Sequence, residues 1–95
     1  STYGFEWELP VGYRKYAPYV SCTQGMDLIV TVAIDPTYVE IRVGIEDELG
    51  YRYYAEGTDT ICIPFEVPNN RRYRVYTQND SLTDVSIIGT YFTRE

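Results

Sequence analysis

Asp27-Leu28-Ile29-Val30-Thr31-Val32-Ala33-Ile34 is the stretch on which the fold turns. Leu28, Val30, Val32 and Ile34 alternate with Ile29, Thr31 and Ala33, which is the period-two pattern of a strand, apolar on one face and mixed on the other. It reads as a central strand. Asp35-Pro36-Thr37 breaks it, and Val39, Ile41, Val43 and Ile45 then alternate with Tyr38, Glu40, Arg42 and Gly44, separating inside from outside. Residues 46–50 predict a turn, 51–55 a shorter strand and 56–59 another turn. Ile61, Ile63, Phe65 and Val67 form the next inward row, in which Pro64 lacks an amide donor and so belongs to an edge strand or a bulge. Pro68-Asn69-Asn70 is turn chemistry, Tyr73, Val75 and Thr77 point inward, 79–83 turns, and Val85, Ile87, Gly89 and Tyr91 end the fold.

Upstream, Phe5, Trp7 and Leu9 alternate with Glu6 and Glu8, and a short strand over 19–22 follows the polar stretch 11–18. The whole predicts an all-β domain over residues 1–95: one antiparallel two-sheet sandwich of about eight strands, jelly-roll-like, with no helix beyond a turn in 46–56.

Composition agrees with that reading. Val, Ile and Thr supply 27 of the 95 positions and aromatics 15, against 8 for Ala, Leu and Met together, a balance that suits strands and not helices. The net charge of −6 opposes nonspecific nucleic-acid or anionic-membrane binding, and no apolar run approaches the roughly 20 residues of a membrane span. Histidine is absent, which removes the commonest general base and metal ligand and with them the serine-histidine, cysteine-histidine and histidine-zinc chemistries. No cofactor is expected.

Cys22 and Cys62 are the only cysteines, and a disulfide between them is expected to contribute about 4 kcal/mol through loop closure in an oxidising compartment. The alternative is two free thiols packed as small hydrophobes. Strand parity puts Cys62 on the face opposite Ile61 and Ile63, so a bond from it would lie on an outer face or tie a loop. A first residue of Ser1 weakly favours a mature exported chain, secreted or at the cell surface.

Several segments together resemble small secreted bacterial β-sandwich domains related to the bacterial pre-peptidase C-terminal domain. They are Gly25-Met26-Asp27-Leu28-Ile29-Val30-Thr31-Val32, Val43-Gly44-Ile45 with Gly50-Tyr51, Phe65-Glu66-Val67-Pro68 with Tyr73-Arg74-Val75, and Asn79-Asp80-Ser81 with Ile88-Gly89-Thr90-Tyr91. The resemblance implies a jelly-roll-like sandwich, export and a noncatalytic role beside enzymes or on the cell surface. The cysteine pair departs from that family's pattern. Residues 65–70 followed by Asn79-Asp80-Ser81-Leu82-Thr83 also resemble a crystallin-type Greek key, but Arg71 and Arg72 stand where its glycine is expected.

Few residues carry chemistry. Glu6 and Glu8 lie on one face with Cα atoms about 6.7 Å apart, near the separation of a glycosidase pair, but they are read instead as simply the wet side of a strand whose dry side is Phe5, Trp7 and Leu9, and no catalytic residue is assigned. Glu46, Asp47 and Glu48 are weak calcium candidates, read more simply as a solvated acidic turn. Arg71, Arg72 and Arg74 form the one basic cluster, with Arg72, Arg74 and Tyr76 on one outer face, and on so acidic a chain they are expected to pair with its own carboxylates. Asn79-Asp80-Ser81 fits the N-glycosylation pattern.

Eleven tyrosines are the compositional oddity. Tyr73 and Tyr91 fall in inward rows. The outward and loop set, Tyr13, Tyr16, Tyr38, Tyr53, Tyr54 and Tyr76, offers stiff amphipathic contact area and, with Arg72 and Arg74, forms the candidate binding surface. Their ordinary alternative is cross-strand aromatic pairing. The expected activity is therefore noncatalytic binding of a carbohydrate or an extended protein segment. The competing expectation is a small acidic inhibitor, immunity or effector protein that blocks a protein partner. The ligand and the oligomeric state are not readable from these residues.

Overall fold

The computed structural model describes residues 1–95 as nine strands. These are β1 (Thr2–Leu9), β2 (Arg14–Tyr16), β3 (Val20–Cys22), β4 (Asp27–Asp35), β5 (Ile41–Asp47), β6 (Arg52–Gly57), β7 (Thr60–Glu66), β8 (Arg71–Gln78) and β9 (Val85–Arg94). Two antiparallel sheets form the expected sandwich, one in the order β1-β9-β4-β7 and one in the order β2-β8-β5-β6 with β3 also on β8.

The alternating rows meet between the sheets. Leu28, Val30, Val32 and Ile34 of β4 face Val43 and Ile45 of β5 and Tyr73 and Val75 of β8 within one cluster of 18 buried residues. Pro64 sits where its missing donor requires, on β7, which pairs only with β4 and is an edge strand. The ninth strand, β2, lies in the stretch expected to be irregular. Its residues Arg14, Lys15 and Tyr16 are all half-buried, so no apolar alternation marks it. It and β3 are two pieces of one interrupted edge: β2 pairs with 76–78, β3 with 71–73, and between them the Ala17 amide donates to the Val75 carbonyl at 2.9 Å. Pro18, which cannot donate, separates the pieces.

Each sheet lays an aromatic ring over a glycine on the neighbouring strand. The Phe5 ring crosses Gly89 on the inner face of one sheet, and Tyr76 crosses Gly44 on the outer face of the other. A Cβ at residue 44 would stand 2.5 Å from Cε1 of Tyr76, so glycine is required there for the ring to lie down. This corrects the expectation that Tyr76 is an exposed outward residue. By parity it faces out, but it is fully buried.

The expected disulfide is also corrected. Cys22 is buried on β3 of one sheet, Cys62 is exposed on β7 of the other, and both are free thiols. The parity of Cys62 had already turned it away from the core, where it meets the Thr31 hydroxyl at 3.7 Å. Burial pushes the Cys22 thiol pKa up.

Candidate binding surface

The five-stranded sheet presents Tyr16, Tyr54, Tyr76, Arg72 and Arg74 on one outer face, so the structure gathers five of the eight expected binding residues. They are already engaged with one another. Arg74 lies 3.7 Å from the Tyr16 ring centre and 4.7 Å from that of Tyr19, Arg42 lies 4.1 Å from Tyr54, and Arg72 lies 5.1 Å from Tyr19. Tyr76 is overlaid by Arg14 at 5.6 Å and Arg52 at 5.9 Å and tilts against Tyr16. The rings that offered open contact area therefore carry guanidinium groups on their faces.

Carboxylates complete this lattice. Glu46, nearly buried at the centre of the face, accepts from Arg52 Nε at 2.7 Å and from Arg74 Nη2 at 2.6 Å. Burial raises its pKa, but hydrogen bonds from Arg74 and Arg52 outweigh that and hold it below the usual carboxylate value. Asp47 shapes the turn that follows: one oxygen accepts the amides of Leu49 and Tyr51 at 2.9 and 3.0 Å, and the other accepts from Arg71 at 3.1 Å. Glu48 takes the Arg72 amide at 3.0 Å and its Nε at 3.2 Å, and these two bonds, the amide first, lower its pKa. The calcium candidates thus hold separate arginines, Glu46 two and Asp47 and Glu48 one each, and do not converge on a common point. The expected pairing of Arg71, Arg72 and Arg74 with the chain's own acids is what the structure has.

Tyr53 needs a further correction. Its partner in the ladder is Ile45, so it points toward the opposite sheet, where its ring centre lies 4.9 Å from that of Phe65, which in turn meets Tyr73. It lies at the open edge of the sandwich, packed on Phe65 but still exposed. On the other sheet, Glu6 and Glu8 are on the wet side as expected, with Glu8 accepting from the Ser86 hydroxyl at 2.9 and 2.8 Å.

The two remaining candidates, Tyr13 and Tyr38, belong elsewhere. Antiparallel pairing brings the loops 10–13, 36–40, 58–59 and 79–84 to one end of the sandwich. Tyr13 is exposed there in the first loop, and Tyr38, which parity had placed on a strand, lies in a turn before β5 and is 77% exposed. Val11 and Leu82 are exposed beside them, Leu82 at 97%.

Charge makes this end distinct. Six of the seven arginines hold carboxylates, and those pairs use five of the fourteen acidic side chains. Of the acids left without an ion pair, Asp35, Glu40, Asp59, Asp80 and Asp84 all stand exposed at the loop end. The two cations without a carboxylate, Arg14 and Lys15, lie on neighbouring β2, and Arg14 is occupied by Gln78 Oε1 at 2.7 Å. Five of the nine acids without an ion pair thus share this end with exposed Val11, Tyr13, Tyr38 and Leu82, and the other four, Glu6, Glu8, Glu66 and Glu95, lie elsewhere.

Asn79 organises this end, a role the sequence reading did not assign. Its side chain is fully buried, donating to the carbonyls of Leu9 at 2.9 Å and Thr83 at 2.8 Å and accepting from the Ser81 amide at 3.0 Å and hydroxyl at 2.6 Å. Its backbone pairs with Gly12 and Tyr13, and the Val11 amide donates to Asp84 at 2.8 Å. With the amide nitrogen committed to two carbonyls, the Asn79-Asp80-Ser81 triplet is closed to a glycan in the folded chain.

No protein-family model and no curated protein sequence matches the chain. Among solved structures it is similar to PliG of Aeromonas hydrophila, a periplasmic lysozyme inhibitor of g-type lysozyme, with a TM-score of 0.67 and 9% identity over 98% of this chain and 86% of that one. It is also similar to AlgX of Pseudomonas aeruginosa, with a TM-score of 0.68 and 12% identity over 97% of this chain. The chain spans about a quarter of AlgX, 26% of its length. At these identities the likeness shows a shared fold.

Proposed function

We propose that the protein is a noncatalytic, extracytoplasmic inhibitor-type module that binds a basic protein, a cell-wall hydrolase of the lysozyme class, through its acidic loop end. The observation that carries this reading is the coincidence, at one end of the sandwich, of uncompensated Asp35, Glu40, Asp59, Asp80 and Asp84 with exposed Val11, Tyr13, Tyr38 and Leu82. Acidic charge around apolar contact area is the arrangement that steers and then holds a cationic partner. The likeness in fold to an inhibitor, over 98% of this chain and 86% of that one, favours the same class. A sugar platform is less favoured, because Tyr76 is buried, Tyr53 packs on Phe65, and Tyr16 and Tyr54 carry arginines on their faces.

The test is inhibition of peptidoglycan lysis by a panel of g-, c- and i-type lysozymes. The expected result is stoichiometric inhibition of at least one. Its association rate should fall at least about tenfold as ionic strength rises from roughly 0.02 to 0.3 M, because exposed charges are screened over that range. Neither inhibition nor binding across the panel would refute the lysozyme assignment, and binding insensitive to salt would refute the charge argument.

A further inference from the structure

Leu82 is almost wholly exposed, which for a single aliphatic side chain is ordinary. What sets it apart is the rigidity of its mount. Asn79 and Ser81 tie the loop internally, with the Ser81 hydroxyl, which donates to Asn79 Oδ1, also accepting from the Thr83 amide at 3.1 Å. The Asn79 and Asp84 contacts then fasten the loop to residues 11–13 and Leu9. The chain on both sides of Leu82 is thus held by side-chain hydrogen bonds, while Leu82 itself touches solvent on nearly every side.

A pre-ordered loop with an apolar tip loses little conformational freedom on docking, so the area that the tip buries is returned as affinity. The tip is also bracketed by Asp80 and Asp84, which no cation neutralises. Leu49 offers an internal comparison. It is 64% exposed on the turn after β5, but the acids beside it, Asp47 and Glu48, are both held by arginines.

We infer that the 79–84 loop is the anchor of the interface, with Leu82 entering an apolar recess rimmed by lysine or arginine on the basic partner. This rests on the protein-binding reading above. Asp80 and Asp84 meet the rim and orient the loop, and Leu82 supplies the slow dissociation.

The experiment measures binding kinetics on the same lysozyme panel for the natural chain, Leu82→Ala, Leu49→Ala and the double variant Glu40→Gln/Asp59→Asn. Leu82→Ala is expected to raise the dissociation rate about twentyfold with little change in association rate, the effect of removing most of one buried leucine. Its Tm should not move, since the side chain has no contacts to lose. The double variant should instead slow association, and Leu49→Ala should match the natural chain. If Leu82→Ala dissociates like the natural chain while the double variant still associates slowly, the anchor is refuted and the protein-binding reading stands. If Leu49→Ala is the variant that weakens binding, the interface lies at the other end and the anchor is likewise refuted. Failure of the natural chain to bind any lysozyme refutes both.

Discussion

The outer face of the five-stranded sheet and the loop end that borders it are built from the same residue types, tyrosines and acids, but they differ in whether the acids have cationic partners. On the sheet face each carboxylate has an arginine and the arginines lie over tyrosine rings, although Arg42 Nε and the Tyr76 hydroxyl are buried there without a hydrogen-bond partner. At the loop end, five acids have no ion pair, and Tyr13, Tyr38 and Leu82 project from ordered backbone. A tyrosine-rich surface is therefore not by itself a binding surface. The face is committed to the fold, and the end is available to a partner.

If the face is structural, breaking its centre must cost stability. Gly44→Ala is the sharpest break, because the new methyl occupies the position of the Tyr76 ring. Unfolding by urea is expected to show a loss of about 3 kcal/mol, in the range for overpacking a filled site. A loss below about 0.5 kcal/mol would mean that Tyr76 leaves the face without consequence, and the lattice would lose its structural role.

Asn79→Ala tests the other region. Truncation strands the Leu9 carbonyl in a buried site and removes the bonds from residue 79 to Ser81 and Thr83, which should destabilise the domain by about 2 kcal/mol. Amide exchange over 80–84 should accelerate more than exchange in β4. Uniform acceleration would show that Asn79 supports the core and not the loop in particular.

Glu46→Gln gives a smaller effect with a defined pH dependence. The folded-state pKa of Glu46 is depressed, so its contribution is complete above the unfolded carboxylate value of about 4.3 and is lost as pH falls through the lower folded value. At neutral pH the variant should be less stable by about 1 kcal/mol. The natural chain should then lose stability more steeply than the variant on acidification below about pH 4.3, bringing the two curves together. Parallel curves would contradict the assignment of Glu46 to that slope.

The sandwich was legible because alternation marks a strand whenever one face is buried: the rows on β4, β5, β7, β8 and β9 are where the pattern puts them, and Pro64 correctly marked an edge. β2 was not legible, since Arg14, Lys15 and Tyr16 are held by the backbone of β8 and not by apolar burial. Tyr76 defeated parity because what buries it is the absence of a side chain across the ladder at Gly44, and that pairing is a register fact. Only part of the binding candidates survive as free surface, because the arginines that claim Tyr16 and Tyr54 arrive from neighbouring strands. Leu82 did carry a signal: it is a large aliphatic residue within the polar run Asn79-Asp80-Ser81-Leu82-Thr83-Asp84, with no strand row to join. Asn79 carried none, since its role depends on carbonyls supplied by Leu9 and Thr83.

The contrast between face and end is tested most directly by hydroxyl-radical footprinting of the protein free and in complex with whichever lysozyme of the panel binds it. Tyr13, Tyr38 and Leu82 should become protected, while Tyr16 and Tyr54 react as they do in the free protein. Protection of Tyr16 and Tyr54 with Tyr38 and Leu82 left unchanged would place the partner on the sheet face and contradict the account.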